Sequence, residues 1–230
     1  MENIQPKDVK ISTPRPKTYY YVLGVLLVLA SEFFLRDVFL PKQANSFDVG
    51  VVLIFEWLVL VGLVAVWLPR VERLPLASIG WGKIKWRHVG SGLLAYLLVT
   101  IALMISGFIL PKMGLEPIRS LQPTLKSFSA PVLLGLFFTG TLLEEIFYRG
   151  YLIERLTILL KHRGLAAVVS WLAFSMVHLK FFGAGPTIDI SILSAALVLL
   201  YLKEKSVWPC IVLHGINNAL AYLIFPMLIP

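Results

Sequence analysis

The segment PVLLGLFFTGTLLEEIFYR, residues 131–149, ends in two carboxylates and a guanidinium after a long run without a charged side chain. An apolar run of this kind is typical of a helix in a lipid bilayer, where charged groups are costly and are usually retained for function. The six residues from Glu144 to Arg149 are therefore the first candidate site. The segment also indicates the fold class, because similar apolar runs occur before and after it, as in a protein with several membrane helices.

The composition excludes a soluble globular protein, since 58% of the residues are hydrophobic, 15% are charged and the mean hydropathy is +0.82. A transmembrane helix needs about 20 apolar residues. Candidate spans are residues 19–40, 49–68, 90–110, 130–150, 164–182, 187–202 and 207–229. Runs such as 51–55 lack the alternation of β-barrel strands. The sequence predicts an all-α, polytopic membrane helix bundle of about seven transmembrane helices.

The charge distribution predicts the orientation of these helices. If the N-terminus is cytoplasmic, 15 of the 21 Lys and Arg residues fall on the cytoplasmic side, in residues 1–18, 69–89, 149–163 and 203–205. This excess is the positive-inside pattern, which indicates a cytoplasmic N-terminus and a C-terminus on the other side. It also accounts for the net charge of +8 without a nucleic-acid partner.

The N-terminal region divides into a tail and a helical scaffold. Residues 1–18 are polar and basic and contain three prolines, so we expect a disordered tail. Residues 19–129 are expected to form an N-terminal transmembrane scaffold. The basic tail and the tripeptide Val28-Leu29-Ala30 weakly resemble a cleavable signal peptide. The apolar run continues through Leu35, which favours a retained first helix.

In the first polar cluster, helical geometry separates the two neighbouring glutamates. Residues four apart share a face of a helix, so Glu145 is expected to pair with Arg149. Glu144 then turns toward another face, where its carboxylate could act as a general base. The alternative is that both glutamates pair with Arg149 and Arg155 and only hold helices together.

Two further polar pairs lie in later spans, each with its members one helical turn apart. Phe174 precedes His178, and its ring could pack against the imidazole and fix its rotamer. His214 precedes Asn218, and both side chains can donate hydrogen bonds to a developing oxyanion. Taken separately, His178 could instead be an interfacial histidine, and His214 with Asn218 an interhelical polar clasp.

Taken together, the three clusters form an ordered set: Glu-Glu-x-x-x-Arg, Phe-x-x-x-His and His-x-x-x-Asn on successive spans. This set resembles the CPBP family of CAAX-protease and bacteriocin-processing intramembrane endopeptidases, also called the Abi family. The resemblance covers about residues 130 to 220. It implies that residues 130–230 form a CPBP-type catalytic helix bundle.

The resemblance also implies a role for each motif residue in a glutamate-dependent peptidase. Glu144 would activate water, His178 would help to orient it, and His214 with Asn218 would face the oxyanion. The residues expected to shape the site are Glu145, Arg149 and Phe174. No cofactor is expected. The alternative is a zinc site formed by Glu144, His178 and His214, although no His-Glu-x-x-His spacing is present.

The expected partners are the lipid bilayer and a membrane-associated peptide or protein substrate: a CAAX-like tail, a peptide precursor or a sorting segment. The expected location is the bacterial inner membrane. A non-catalytic membrane scaffold or immunity protein is the alternative from another functional class. Ion or solute transport ranks below it, because no inverted repeat is visible.

The depth of the last helix is the weak point of this prediction. At about 1.5 Å per residue, Glu144 lies some 25 Å along its helix from Lys161, whereas His214 lies only about 10 Å from Val207. The last helix must therefore begin deeper in the membrane or tilt if His214 is to reach Glu144.

Overall fold

The computed structural model describes residues 17–35 and 44–225, which are helical and contain no β-strand. The all-α prediction is therefore confirmed over these residues. The described residues form seven apolar helices: α1 Thr18–Phe34, α2 Ser46–Val71, α3 Trp86–Met113, α4 Ala130–Leu160, α5 Arg163–Phe182, α6 Ala184–Glu204 and α7 Trp208–Ile224. Most of the predicted disordered tail, and the predicted spans beyond residues 35 and 225, lie outside the described residues.

Five of the helices, α2 to α6, are long and apolar enough to cross a membrane, and α1 and α7 are shorter over the described residues. The chain is an integral membrane protein. The predicted fourth span ends at residue 150, whereas the helix that contains it, α4, continues to Leu160. Arg149 and Arg155 therefore lie inside a helix, where both are buried, and they do not contribute to the charge of a loop.

Local signals set the helix ends. The Asn45 side chain accepts hydrogen bonds from the backbone N–H groups of Phe47 and Asp48 at 2.7 and 3.1 Å, which caps α2. The φ of 77° at Gly183 permits the tight turn between α5 and α6. At the other end of α5, the His162 side chain accepts from the N–H of Leu165 at 3.0 Å.

Two apolar clusters hold the helices together, and α4 and α5 lie between them. The first cluster joins α1 and α2 to α4 and α5 and includes Val28, Leu63 and Phe147. The second joins α3, α6 and α7 and includes Val99 and Leu197. The outer face of α3 is covered with exposed Leu, Ile, Met and Phe side chains. Such a face suits contact with lipid.

A short turn after α2 sets the depth at which α7 begins. This 3₁₀ turn, Leu76–Ile79, lies against Gly150 of α4, where a Cβ would be 2.6 Å from the Ile79 carbonyl oxygen. The next residue, Gly80, accepts a hydrogen bond from the N–H of Val207 at 3.2 Å. The first turn of α7 therefore lies beside Gly150, about 9 Å along α4 from Glu144. The last helix begins deep in the bundle, as the position of His214 requires.

A buried ionic network closes the same end of the bundle. Arg155 Nε lies 2.7 Å from Glu72 Oε2, and both side chains are at most 1% exposed. Tyr151 and Trp67 donate hydrogen bonds to the other oxygen of Glu72. We call this end, formed by the start of α1 and residues 72–85, 161–162 and 205–207, the basic end. The opposite end is formed by residues 114–129, by Gly183 and by the end of α7.

Candidate active site

The first motif lies where α4 changes its winding. Residues Thr139–Leu143 and Glu145–Leu152 form π-helical turns, which are wider than α-helical turns and occur often at functional sites. Trp57 of α2 donates a hydrogen bond from Nε1 to Thr139 Oγ1 at 2.9 Å, which fixes the start of this region.

Glu145 connects two of the motifs. Its Oε1 lies 3.0 Å from Arg149 Nη1 and 2.7 Å from His214 Nδ1, and the carboxylate is fully buried. Because an ionised carboxylate only accepts hydrogen bonds, the imidazole donates its Nδ1 hydrogen to Glu145. The ion pair with Arg149 agrees with the spacing of the motif, and the contact with His214 was not predicted. The alternative pairing with Arg155 is wrong, since Arg155 pairs with Glu72.

Arg149 holds this arrangement against two other helices. Its Nη2 donates to Ser194 Oγ of α6 at 2.8 Å. Its guanidinium lies over the ring of Phe174 of α5, at 4.4 Å from the centroid. A buried cation over an aromatic face is stabilised by the ring quadrupole. Arg149 therefore joins α4, α5 and α6 around the motif.

The second motif orients His178. The rings of Phe174 and His178 lie 4.5 Å apart, as the spacing predicted, and their planes are inclined by 35°. The Nδ1 atom of His178 lies 2.7 Å from the Phe174 carbonyl oxygen. A carbonyl only accepts, so Nδ1 carries the hydrogen, and the lone pair of the neutral ring is on Nε2.

The third motif meets the first one at Gly140. A Cβ on Gly140 would lie 2.4 Å from Asn218 Nδ2 and 3.9 Å from Glu144 Oε2. The glycine therefore lets the amide of Asn218 approach the helix that carries Glu144. Asn217 donates to Asn218 Oδ1 at 3.4 Å. Asn218 Nδ2 is buried, and within residues 17–35 and 44–225 no group accepts a hydrogen bond from it.

A cavity of about 510 Å³ lies where the three motifs meet. Glu144, His178, His214 and Asn218 all line it, whereas Glu145 and Arg149 do not. The rest of the wall is mainly apolar and comes from α3, α5, α6, α7 and the segment before α4. These residues are Tyr96, Thr100, Leu103, Met104, Ile118, Leu121, Gln122, Leu125, Phe174, Phe182, Asp189, Ile190, Leu193, Asn217, Leu220, Ala221, Tyr222 and Phe225.

Asp189 of α6 is a polar residue of the wall that the motifs did not indicate. Its carboxylate accepts hydrogen bonds from Ser106 Oγ at 2.5 Å and from the N–H of Ile118 at 2.8 Å. These contacts attach the segment before α4 to α3 and α6 beside the cavity. A single carboxylate inside a predicted span was the signal that could have identified it.

The residues of the zinc alternative, Glu144, His178 and His214, all line the cavity. Over the described part of the chain, no three His, Cys, Asp or Glu side chains are placed to hold a metal ion. The Nδ1 atoms of His178 and His214 are both engaged with protein acceptors, which leaves Nε2 of each ring as the nitrogen that could bind a metal. The zinc alternative with Glu144, His178 and His214 therefore stays a prediction for experiment, and no chemical step is assigned to a metal.

Comparison with known proteins gives one match. Residues 126–220 match the model of a family described as type II CAAX prenyl endopeptidase Rce1-like, which is a protease family. Neither the curated proteins nor the solved structures give a match. The matched residues include all three motifs and half of the residues of the cavity wall. The resemblance deduced from the motifs is therefore confirmed, and over residues 126–220 this chain is similar to the Rce1-like family.

Proposed function

We propose that the protein is an intramembrane, glutamate-dependent endopeptidase that hydrolyses a peptide bond in a membrane-associated substrate. The observation that carries this proposal is the convergence of Glu144, His178, His214 and Asn218, from three helices, on one mainly apolar cavity. Hydrolysis inside a membrane requires a base, an oxyanion site and room for an extended segment in the same place.

In the proposed mechanism, Glu144 takes a proton from a water molecule as the water oxygen adds to the scissile carbonyl carbon. His178 orients this water by accepting a hydrogen bond at Nε2. The C–N bond then breaks, and the proton held by Glu144 passes to the leaving amine. The neighbour Glu145 has a different role, because Arg149 and His214 occupy its carboxylate.

Asn218 and His214 are proposed to stabilise the oxyanion that forms during this addition. The buried Nδ2 of Asn218 has hydrogens to donate and lines the cavity. The hydrogen bond from His214 Nδ1 to Glu145 fixes the plane of the imidazole. In the form of His214 that carries hydrogens on both ring nitrogens, the Nε2–H is the second donor to the oxyanion.

The test compares new protein termini in the native cells that carry the wild type or Glu144→Gln. Mass spectrometry of the membrane and secreted fractions should find peptide ends that occur only with the wild type. Equal termini at equal protein levels, under conditions where the protein has a phenotype, would contradict the peptidase and favour the scaffold or immunity protein. Fractionation of the same cells tests the expected bacterial inner membrane.

Metal dependence is tested with the purified protein and a substrate identified in this way. We expect that cleavage continues after treatment with 1,10-phenanthroline followed by desalting, because the proposed base is a carboxylate. Loss of cleavage that added zinc restores would instead support the zinc alternative.

A further inference from the structure

Two buried polar atoms of α4 lie behind the wall of the cavity. They are Thr141 Oγ1 and Glu145 Oε2, and neither residue lines the cavity. Thr141 is only 5% exposed, and Glu145 is fully buried. In the part of the chain that the structure describes, neither atom has a hydrogen-bond partner. Because buried polar atoms in native proteins are almost always hydrogen-bonded, this pair requires an explanation.

The two side chains lie on the same side of α4, toward α7. They are four residues apart, which places them about one helical turn from each other. A Cβ on Gly215 of α7 would lie 3.1 Å from Thr141 Cγ2 and 3.9 Å from Thr141 Oγ1. The residue before Gly215, His214, is bonded to Glu145 Oε1 at 2.7 Å. Both side chains therefore face the same turn of α7.

The hydroxyl of Thr141 is not used within its own helix. A Ser or Thr side chain in a helix can donate to the carbonyl oxygen four residues earlier, as Thr100, Thr157 and Ser175 do at 2.7–3.0 Å. Among the described residues, Thr141 makes no such bond, so its hydrogen is available to Glu145. The two orphaned atoms are not bonded to each other directly. Polar groups in this arrangement are commonly bridged by a water molecule.

We propose that one buried water molecule bridges the Thr141 hydroxyl and Glu145 Oε2, and that Thr141 is thereby a positioning residue of the active site. The hydroxyl donates to the water oxygen, and the water donates to the carboxylate. The last torsion of a glutamate side chain is broad, so bonds to Oε1 alone do not fix the plane of the carboxylate. With both oxygens held, Oε1 stays directed at Arg149 and His214.

The effect on the reaction passes through His214. This inference therefore rests on the proposed peptidase function, and it adds to the oxyanion site a residue outside the three motifs. The bond to Glu145 fixes the plane of the imidazole, whose Nε2–H is a proposed oxyanion donor. A carboxylate that turns misdirects this donor in the transition state and leaves ground-state binding unchanged. Loss of the bridge should thus lower kcat and leave KM nearly unchanged.

Thr141→Val and Thr141→Ser separate the hydroxyl from the packing of the residue. Thr141→Val keeps the shape and should lower kcat roughly 10- to 100-fold, the rate equivalent of one lost hydrogen bond to a charged group. Thr141→Ser keeps the hydroxyl and should retain a kcat close to that of the wild type. Thr157→Val is the matched control in α4, because the Thr157 hydroxyl bonds to the Ile153 carbonyl oxygen of its own helix, and it should also retain kcat. Wild-type kcat in Thr141→Val, or an equal loss in Thr141→Ser, would overturn the inference.

A second measurement does not depend on catalysis. In a double-mutant cycle on thermal unfolding in detergent, Thr141→Val should lower the unfolding midpoint of the wild type, and by less in the Glu145→Gln background, where the charged acceptor is already lost. Additive changes would overturn the inference. If the wild type shows no Glu144-dependent cleavage, the peptidase function fails, and the cycle still tests the bridge.

The wild-type protein itself provides a direct test if the variants do not accumulate. We expect a high-resolution experimental structure to show a water molecule within hydrogen-bond distance of both Thr141 Oγ1 and Glu145 Oε2. A structure of sufficient resolution to show buried waters elsewhere in the bundle, without one at this position, would overturn the inference.

Discussion

Glu144 and Glu145 are adjacent carboxylates with different surroundings, and isosteric amides should separate their roles. We expect Glu144→Gln to reduce cleavage about 10²–10⁴-fold, the usual contribution of a general base. Glu145→Gln should reduce cleavage and also lower the free energy of unfolding by about 3 kcal/mol, because Arg149 loses a buried partner. Cleavage assays and thermal unfolding in detergent measure the two effects.

The stability measurement is the control for this pair of variants. Both variants must remain folded at the assay temperature for their cleavage rates to be compared. Cleavage by folded Glu144→Gln at the wild-type rate would contradict the assignment of Glu144 as the base.

Asn218 offers a test of the oxyanion site. Its Nδ2 is buried at the cavity, so Asn218→Ala should lower kcat about 10²–10³-fold, the usual cost of one lost oxyanion donor. KM should change little, because the donor acts mainly in the transition state. A rise in KM with unchanged kcat would show that Asn218 binds the ground state instead.

At the level of residues, spacing predicted the contacts within one helix and missed those between helices. The pairs Glu145–Arg149 and Phe174–His178 follow from the helical period. The bond from His214 to Glu145 depends on the packing of α7 against α4, which the spacing of residues along the chain does not contain. The catalytic roles of the motif residues stay predictions, since geometry alone does not test them.

At the level of elements, the contact of α4 with α7 depends on Gly140. A methyl group there would lie 2.4 Å from Asn218 Nδ2. Gly140→Ala should therefore displace the Asn218 amide and reduce cleavage at least tenfold. Gly107→Ala in α3 is the matched control, since a Cβ there meets nothing within 4 Å. The control should keep its activity, because alanine favours a helix over glycine by about 1 kcal/mol. Equal activity of the two variants would contradict the close approach of α7 to α4.

The lengths of the elements were harder to predict than their existence. Hydropathy located all seven apolar segments, but the helix that contains the fourth predicted span continues ten residues beyond it. The charged residues that follow Glu144 are paired, Glu145 with Arg149 within α4 and Arg155 with Glu72, so the helix continues through them. Three buried glutamates were likewise not recognised as part of the interior: Glu32 in α1, Glu56 in α2 and Glu72 directly after α2.

For the molecule as a whole, the Glu72–Arg155 pair connects the N-terminal helices to α4. Arg155→Met alone should lower the free energy of unfolding by about 3–5 kcal/mol, because Glu72 is left buried without its charge partner. The double variant Glu72→Leu with Arg155→Met should recover part of this loss. Thermal unfolding in detergent measures both stabilities. Equal stability of the single variant and the wild type would show that the basic end tolerates an unpaired buried Glu72.

The division of the chain at residue 129 into a scaffold and a catalytic bundle stays a prediction. The structure adds that α3, from the expected scaffold, contributes Tyr96, Thr100, Leu103 and Met104 to the cavity wall. The three motifs therefore do not define the whole substrate path. The part of the chain outside the matched residues 126–220 also shapes it.

The π-helical turns of α4 have a consequence for protein engineering. Each such turn accommodates extra backbone, so deleting one residue within Thr139–Leu143 would make the helix more regular. The part of α4 before the deletion would then be rotated by about 100° about the helix axis relative to the part after it, so Gly140 and Glu144 would face different directions. Efforts to increase thermostability by idealising this helix would therefore separate Asn218 from Glu144. A change that makes these turns regular would therefore disrupt the site, and the π-helical turns are needed to keep it intact.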